Sequence, residues 1–515
     1  MMRNLSKTLC GVIVAAALAV PSIAMAQADL TPAIQAYNAG QYDMAAVRLH
    51  EYIAANGATA ERAKAEFYLG QTLEKGGLYQ SALYTYANIL KEGPAHPFYV
   101  QAVEGIVDVS EALDDDLFVP SLFDKEYNDE FTRLRPEYLQ KINYMVGMVS
   151  YRAGRLEDAE AFLGAVPPEN AYYARARYLL GIVSIAKGQQ ANDMAGASQA
   201  ALGYFNEVLS LKNTEKLQYL ELADLRDLAR LGMGRTYYGV GDYASAVKYY
   251  EAVPRFSAHW DEALFENGWA RFFNDDYGGA LGTLQALHAP QFEGAFSPES
   301  WTLKSTIYYT ACLYDEAKDA LAKYTQNYST LPNRVQPLLD EGHEFSYYWQ
   351  LIANSEQRTK LPRSVYNYLS ANSRVSGFKR YIGRLDAEKA QLRASGPLKN
   401  TALQAEMLEV IDQQKSTLEN VAGKFIRGRL EHAVAMVRNF DAQAEIIKFE
   451  TAKAEKERLE KGAEFQARLA SQSLERPVIP AEDWEYWNFQ NEFWLDEIGY
   501  YQFTLKNACA QPEQE

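Results

Sequence analysis

The sequence predicts an all-α protein: a solenoid of paired helices, then an antiparallel helical hairpin packed as a coiled coil, then an aromatic C-terminal segment. Three observations lead to this prediction. A small residue is followed twelve positions later by alanine at six places, apolar residues then recur every three or four positions, and aromatic residues crowd the end of the chain. We expect a signal peptide at 1–26, the solenoid at 27–330, the hairpin at 331–475 and the aromatic segment at 476–515.

The N-terminal segment has the pattern of a secretory signal peptide. Arg3 and Lys7 precede an apolar run, Leu9–Val20, and the small residues Ala24 and Ala26 follow it. We therefore expect export to the periplasm, with cleavage after Ala26. The apolar run is too short to span a bilayer, and no later stretch is long and apolar enough, so we expect no transmembrane segment.

The chain of 515 residues is acidic, with a formal net charge of −16. Proteins bind phosphate backbones through basic surfaces, so the composition argues against a nucleic-acid partner. Two cysteines, Cys312 and Cys509, follow the predicted signal peptide. An oxidising compartment outside the cytoplasm permits a disulfide between them.

The small residue and its alanine define a repeat that recurs at intervals of about 34 to 37 residues. A turn lies between them and usually contains glycine. The clearest copy is LGMGRTYYGVGDYASAVKYYEAV at 231–253. The small residues are Ala33, Gly70, Gly147, Gly234, Gly268 and Ser305, and their alanines are Ala45, Ala82, Ala159, Ala246, Ala280 and Ala317.

This pattern resembles the tetratricopeptide repeat (TPR) of bacterial envelope proteins. Tyr237, Tyr243 and Tyr250 stand at the family's large-residue positions, and Pro94 matches the proline that ends a repeat. The resemblance implies that each repeat is a pair of antiparallel helices in close approach at the small residues. It also implies that the repeats stack into a solenoid with a binding surface for other proteins.

Residues 97–138 form a degenerate copy, because DDDLFVP stands where the alanine is expected. The acidic run Asp114–Asp116 lacks the alternating ligands and the glycine of a calcium-binding loop. We therefore interpret these aspartates as a solvated helix end.

Beyond residue 332 the repeat stops and another apolar pattern begins. Val375–Leu392 carries apolar residues at helical spacing, the breaker SGPLKN follows at 395–400, and Ile426–Ile447 carries a heptad seam with charged flanks. Together they predict an antiparallel hairpin whose longer arm covers about 401–470.

Aromatic residues are dense at 483–503, and this segment would expose a large apolar patch if it stayed in water. It either packs back on the hairpin or the last repeat as a cap, or forms an insertion surface for a partner. Cys312 occupies the turn position that glycine holds in four other repeats. If the aromatic segment returns to the last repeat, Cys312 can pair with Cys509, and the alternative is two unpaired cysteines.

The sequence contains none of the common motifs for catalysis or metal binding. Its six histidines are scattered, and there is no His-Glu-x-x-His run, no phosphate-binding glycine loop and no Gly-x-Ser-x-Gly turn. We therefore expect a protein without enzymatic activity, cofactor or metal.

The resemblance assigns ligand contacts to the inner helix of each repeat, at fixed offsets from the small residue. These positions predict an aromatic groove with two arginines, without the lysines and asparagines that bind a C-terminal carboxylate in cytosolic members. Each aromatic residue could instead belong to the core between repeats. The positions are Tyr144, Met148, Tyr151, Arg152, Arg235, Tyr238, Phe265, Trp269, Phe272 and Phe273.

By resemblance, the expected function is that of a periplasmic scaffold or adaptor that binds envelope proteins or peptide segments. Repeats followed by a hairpin also resemble, more narrowly, the periplasmic repeat proteins of gliding bacteria. The rival hypothesis is that the groove binds cell-wall glycan, or that the chain is a regulatory subunit of a cell-wall enzyme, because aromatic rings stack on sugars.

Overall fold

A computed structural model describes residues 29–292, 295–460, 493–505 and 509, and every regular element in these ranges is a helix. This confirms the predicted all-α class. The helix pairs are α1 (Thr31–Asn38) and α2 (Tyr42–Ala55), α3 (Ala60–Lys75) and α4 (Tyr79–Glu92), α5 (Tyr99–Leu113) and α6 (Phe118–Glu126), α7 (Pro136–Arg152) and α8 (Leu156–Gly164), α9 (Tyr173–Ala191) and α10 (Met194–Ser210), α11 (Leu222–Gly239) and α12 (Tyr243–Glu251), α13 (Trp260–Phe273) and α14 (Tyr277–Leu287), and α15 (Pro298–Thr310) and α16 (Tyr314–Tyr328).

Five more helices follow the pairs, and three short 3₁₀ turns lie between elements. The helices are α17 (Leu331–Asp340), α18 (Phe345–Ala353), α19 (Arg363–Ser370), α20 (Ser373–Ala394) and α21 (Ala402–Glu460), and the turns are Asp129–Arg133, Pro290–Phe292 and Gln357–Lys360. The predicted signal peptide and residues 476–492 lie outside the described residues. Within the described part of the chain, no helix has both the length and the apolar character to cross a membrane.

The helix pairs pack closely because glycines of the first helices accept large side chains from the second helices. The Tyr86 ring of α4 lies between Gly70 of α3 and Gly105 of α5, and a methyl group on either glycine would overlap the ring. The alanines of the repeat are buried beside these contacts. The six alanines predicted from the spacing, Ala45, Ala82, Ala159, Ala246, Ala280 and Ala317, are fully buried.

The first helices form the inner row of the solenoid. In sequence, α3 contacts α5, α5 contacts α7, α7 contacts α9 and α9 contacts α11, whereas no comparable contact joins α4, α6, α8 and α10 in the described residues. In a curved stack of helix pairs, the row whose members lie closer together is on the concave side. The inner face is therefore lined by side chains of the first helices that point away from the second helix of the same pair.

The degenerate repeat is built around a buried carboxylate. Asp115 accepts hydrogen bonds from the backbone N–H groups of Leu117, Phe118 and Val119 at 2.9, 2.8 and 3.1 Å, and so caps the N-terminus of α6. This is the usual role of aspartate at the start of a helix. The interpretation of a solvated helix end is therefore wrong for Asp115, which is buried.

The helices α20 and α21 form an antiparallel hairpin. Lys415 pairs with Asp386 at 2.5 Å, and the ring centroids of Phe378 and Phe425 lie 6.0 Å apart. Beyond Phe425, α21 continues without α20 and packs on α15, α16, α17 and α18. The predicted heptad seam is buried from Ile426 to Ala444. In this part α21 packs on the end of the solenoid, where the Tyr324 hydroxyl donates to the Val437 carbonyl at 3.0 Å, rather than on the first apolar run.

The hairpin also reaches back to the first repeats. Glu388 of α20 is buried and accepts hydrogen bonds from the backbone N–H of Gln80 (2.7 Å) and from the N–H and hydroxyl of Ser81 (2.9 and 2.7 Å). Glu388 thus caps the N-terminus of α4 from a helix that is distant in sequence.

The long helix α21 connects the two ends of the solenoid. Its 59 residues correspond to a length of roughly 90 Å. Near its start Glu406 pairs with His50 of α2 at 2.9 Å, and near its end Glu455 pairs with Lys318 of α16 at 2.6 Å. The first and last repeats are therefore linked by one continuous helix.

Residues 493–505, which we call the C-terminal strap, lie on α14. The Phe503 N–H donates to the Gly278 carbonyl at 3.1 Å, and a side chain at Gly282 would overlap the Tyr501 carbonyl oxygen. Ile498 is buried in the core beside Trp260. This part of the aromatic segment packs on the solenoid, but mainly on the helix pair α13 and α14 rather than on the hairpin or the last repeat.

A disulfide fastens the chain beyond the strap to the last repeat. Cys312 and Cys509 are bonded, with their Cα atoms 5.1 Å apart. Cys312 has a φ of 56°, the left-handed turn conformation that glycine adopts in other repeats. The structure therefore contains the predicted pairing, and the thiol at this turn is explained by its covalent partner.

Candidate functional site

The first group of predicted groove residues divides between the core and a shallow cavity. Tyr144 and Met148 of α7 are only 8% and 7% exposed, and the Tyr144 ring packs against Tyr172 with centroids 4.8 Å apart. These two side chains fit the alternative of core between repeats, since little of their surface remains for a ligand.

Tyr151 and Arg152, at the end of the same helix, line an open cavity of about 510 Å³ together with Gln189 and Gln190 of α9. The Arg152 guanidinium donates to the carbonyl and the carboxylate of Asp116, at 2.9 and 3.2 Å. This arginine is therefore partly neutralised by the chain itself.

The second and third groups converge on one pocket on the inner face. We call it the aromatic pocket; its volume is about 410 Å³, and helices α11, α12, α13 and α15 build it. Five of the predicted residues line it, and three lining residues were not predicted. The predicted ones are Arg235, Tyr238, Phe265, Trp269 and Phe273, and the others are Tyr250, Glu266 and Glu299.

Aromatic rings form one wall of the aromatic pocket. Trp269 and Phe273 stack with centroids 5.7 Å apart, and Tyr238 meets Phe273 edge to face at 6.0 Å. Phe273 is 46% exposed, which is unusual for a phenylalanine. Phe272, the remaining predicted residue, turns away and packs on Tyr277 at 5.6 Å, so the structure does not place it in this pocket.

Charged side chains also line the aromatic pocket. The Arg235 guanidinium pairs with Glu262 at 2.6 Å and with Glu266 at 2.7 Å, bridging α11 and α13. Burial raises the pKa of Glu266, and the hydrogen bond with Arg235 opposes that shift. Arg235 thus lies in the pocket, but its guanidinium is already paired with two carboxylates.

Glu299 stands at the start of α15 and differs from the other carboxylates. Burial raises its pKa, and a hydrogen bond from the Trp269 side chain opposes the shift. No basic side chain pairs with Glu299 in the described ranges. Glu299 lies six residues before Ser305, one of the offsets that the resemblance assigns to ligand contacts, so applying those offsets to the last repeat would have found it.

One group of possible metal ligands occurs in the described residues: Glu66, Glu92 and His96. His96 Nδ1 accepts a hydrogen bond from the Phe98 N–H at 3.1 Å, and Nε2 faces a Glu66 oxygen at 3.4 Å. The Phe98 N–H therefore occupies the Nδ1 lone pair, and Nε2 is directed at the Glu66 carboxylate. Glu66 and His96 thus form a hydrogen-bonded contact between α3 and the loop that follows α4.

No protein-family model matches the sequence, and no curated protein matches it.

Proposed function

We propose that this chain is an exported, non-enzymatic scaffold of the TPR type that binds protein segments in the envelope through its aromatic pocket. The observation that carries the proposal is the pocket itself, an open cavity on the inner face with a largely exposed phenylalanine and two neighbouring rings. Rigid aromatic side chains in a concave site are typical of binding hot spots. The predicted signal peptide and the disulfide support an oxidising location for this activity.

Site-specific photo-crosslinking in cells tests the proposal. A photoreactive phenylalanine analogue at Phe273 should crosslink one defined envelope protein, because a segment bound in the pocket would touch this ring. The matched control is the same analogue at Phe256, which is 52% exposed but does not line the pocket. Equal crosslinking from both positions, or none from Phe273, would contradict the proposal.

Cell-wall glycan is the second candidate ligand, because the aromatic pocket combines stacked rings with carboxylates. Retention of the chain on purified cell wall, reduced by Trp269→Ala and unchanged by Phe256→Ala, would favour this candidate over a protein partner.

A further inference from the structure

We propose that the aromatic pocket binds a positively charged side chain, the guanidinium of arginine or the ammonium of lysine, presented by the partner segment. This inference rests on the proposed function and names the chemistry that the pocket recognises.

The charge balance of the pocket favours a cation. Its single guanidinium, Arg235, is held by Glu262 and Glu266, so a bound anion would meet a cation whose charge is already compensated. Glu299 has no basic partner in the described residues, and it lines the same cavity. An anionic ligand would therefore face an excess of negative charge, whereas a cation would pair with the Glu299 carboxylate.

The rings complete the site for a cation. Trp269 and Phe273 stack nearly in parallel, with 22° between their planes, and Tyr238 and Phe265 add further aromatic surface. The face of an aromatic ring attracts a cation, and tryptophan is the strongest of these attractors. A carboxylate at the edge of the Trp269 ring, in a pocket lined by other aromatic side chains, suits the flat guanidinium and the methylene stem of a basic side chain.

The protonation behaviour of the carboxylates agrees with this geometry. Burial raises the pKa of Glu299, and the hydrogen bond from the Trp269 side chain opposes this shift only in part. A bound cation would favour the ionised carboxylate, and so the affinity should rise as the pH increases through the pKa of Glu299.

The test is a titration of the full chain without its predicted signal peptide, with the disulfide intact. The chain contains seven tryptophans, so 5-fluorotryptophan is incorporated and the Trp269 signal is identified by its loss in Trp269→Phe. N-acetylarginine methylamide and N-acetyllysine methylamide are the probes. We expect a saturable shift of the Trp269 signal with both, and an affinity at least tenfold lower for the citrulline derivative, which has the shape of arginine without its charge.

Two variants sharpen the result. Glu299→Gln keeps the size of the side chain and should lower the affinity for the arginine probe at least fivefold. Asp319→Asn removes an exposed carboxylate of α16 that does not line the pocket, and should leave the affinity unchanged.

Other outcomes overturn the inference. Equal affinity for arginine and citrulline probes, tighter binding of N-acetylglutamate methylamide, or no shift with any probe would each do so. A shift with triacetylchitotriose but not with arginine would assign the pocket to glycan. If a protein is crosslinked at Phe273 but the pocket shows no preference for cations, this inference is refuted and the proposed function stands. If the pocket binds cations but no protein is crosslinked, the proposed function is refuted and this inference stands.

Discussion

Two regions of the solenoid use aromatic side chains in opposite ways. In the upstream repeats, the Tyr86 ring is 1% exposed and lies between Gly70 and Gly105, and its hydroxyl donates to Glu74 at 2.7 Å. In the downstream repeats, Phe273 is 46% exposed and stacks on Trp269 at the edge of a cavity. The same class of side chain is a spacer in one region and a surface in the other.

The contrast identifies glycine on the adjacent helix as one feature that makes a ring a spacer. A ring becomes core where a glycine on the adjacent helix leaves room for it, as at Tyr86 and at Phe205, which lies between Gly181 and Gly232. Phe273 packs on the rings of Tyr238, Tyr243, Trp269 and Phe272. A glycine opposite a ring therefore marks one kind of core position, since Tyr144 and Tyr324 are buried without one.

The largest expected effect is in the upstream region. Tyr86→Ala should lower the free energy of unfolding by about 4 kcal/mol, because it removes a fully buried ring and leaves a cavity between three helices. Tyr86→Phe keeps the ring and loses only the hydrogen bond to Glu74, so we expect a loss of about 1 kcal/mol. Urea unfolding measures both. A loss below about 1.5 kcal/mol for Tyr86→Ala would show that the ring is not the spacer described here.

The next effect tests the contact between the hairpin and the upstream repeats. Glu388→Ala should cost about 3 kcal/mol, because it leaves the N–H groups of Gln80 and Ser81 buried without an acceptor. Asp386→Ala is the control on the same helix; it breaks a half-exposed pair with Lys415 and should cost under about 0.5 kcal/mol. Equal effects of the two substitutions on urea unfolding would argue against the capping role.

The disulfide should have a smaller effect, confined to the downstream region. In Cys509→Ser the strap keeps its contacts with α14 but loses its covalent anchor, so we expect about 2 kcal/mol less local stability. This corresponds to roughly 30-fold faster hydrogen exchange of the Phe503 amide, which bonds to Gly278. Cys509 is the better site for substitution because Cys312 has a positive φ that other residues adopt at a cost. Unchanged exchange at Phe503 would show that packing alone holds the strap.

A smaller effect is expected at Lys304, a buried cation whose charge is less well compensated by hydrogen bonds than the charge of Glu388. Lys304 of α15 donates to Gln285 at 3.2 Å and lies over the Trp301 ring, with no carboxylate paired to it in the part of the chain described. Burial lowers the pKa of Lys304 to about 8. Because the folded state disfavours the charged amine, Lys304→Met should stabilise the protein at pH 7 by about 1 kcal/mol.

The sign of the pH dependence provides the check on Lys304. A folded pKa below the unfolded value means that wild-type stability recovers as the pH rises from 8 toward the unfolded pKa. The gap between wild type and Lys304→Met in thermal unfolding should therefore narrow between pH 7 and pH 9.5, whereas the exposed Lys323→Met should show no such change. A constant gap would mean that packing, not charge, causes the difference.

Much of this architecture could be predicted because a repeated residue pattern reflects the packing between helices that are neighbours in sequence. The alanine spacing identified buried positions in six repeats, and the offsets of the resemblance selected five residues that meet in one pocket. The apolar seam at 426–447 showed that one face of α21 is buried, but periodicity cannot tell which element covers that face, and α15 to α18 lie far away in sequence.

Other features escaped prediction because they depend on contacts between distant segments. The pairing of Arg235 with Glu262 and Glu266 requires two helices to be placed side by side before the charges can be compared. Gly278 and Gly282 stand four residues apart in α14, a spacing that puts both on one helix face and signals a close backbone approach. The two glycines therefore indicated a close contact, but the sequence did not show that the C-terminal strap makes it.

The smallest expected change in stability is at the pocket, and it tests directly whether the pocket ring differs from the core ring of Tyr86. Phe273→Ala removes a half-exposed ring that stacks on Trp269 and Tyr243, so the free energy of unfolding should fall by no more than about 1 kcal/mol. The same substitution removes one of the rings that line the proposed cation site, so the affinity for N-acetylarginine methylamide should fall by at least tenfold. Phe256→Ala, at an exposed ring outside the pocket, should change neither quantity. If Phe273→Ala instead destabilised the chain as Tyr86→Ala does and left the affinity per folded molecule intact, both rings would be core and the contrast between the two regions would disappear.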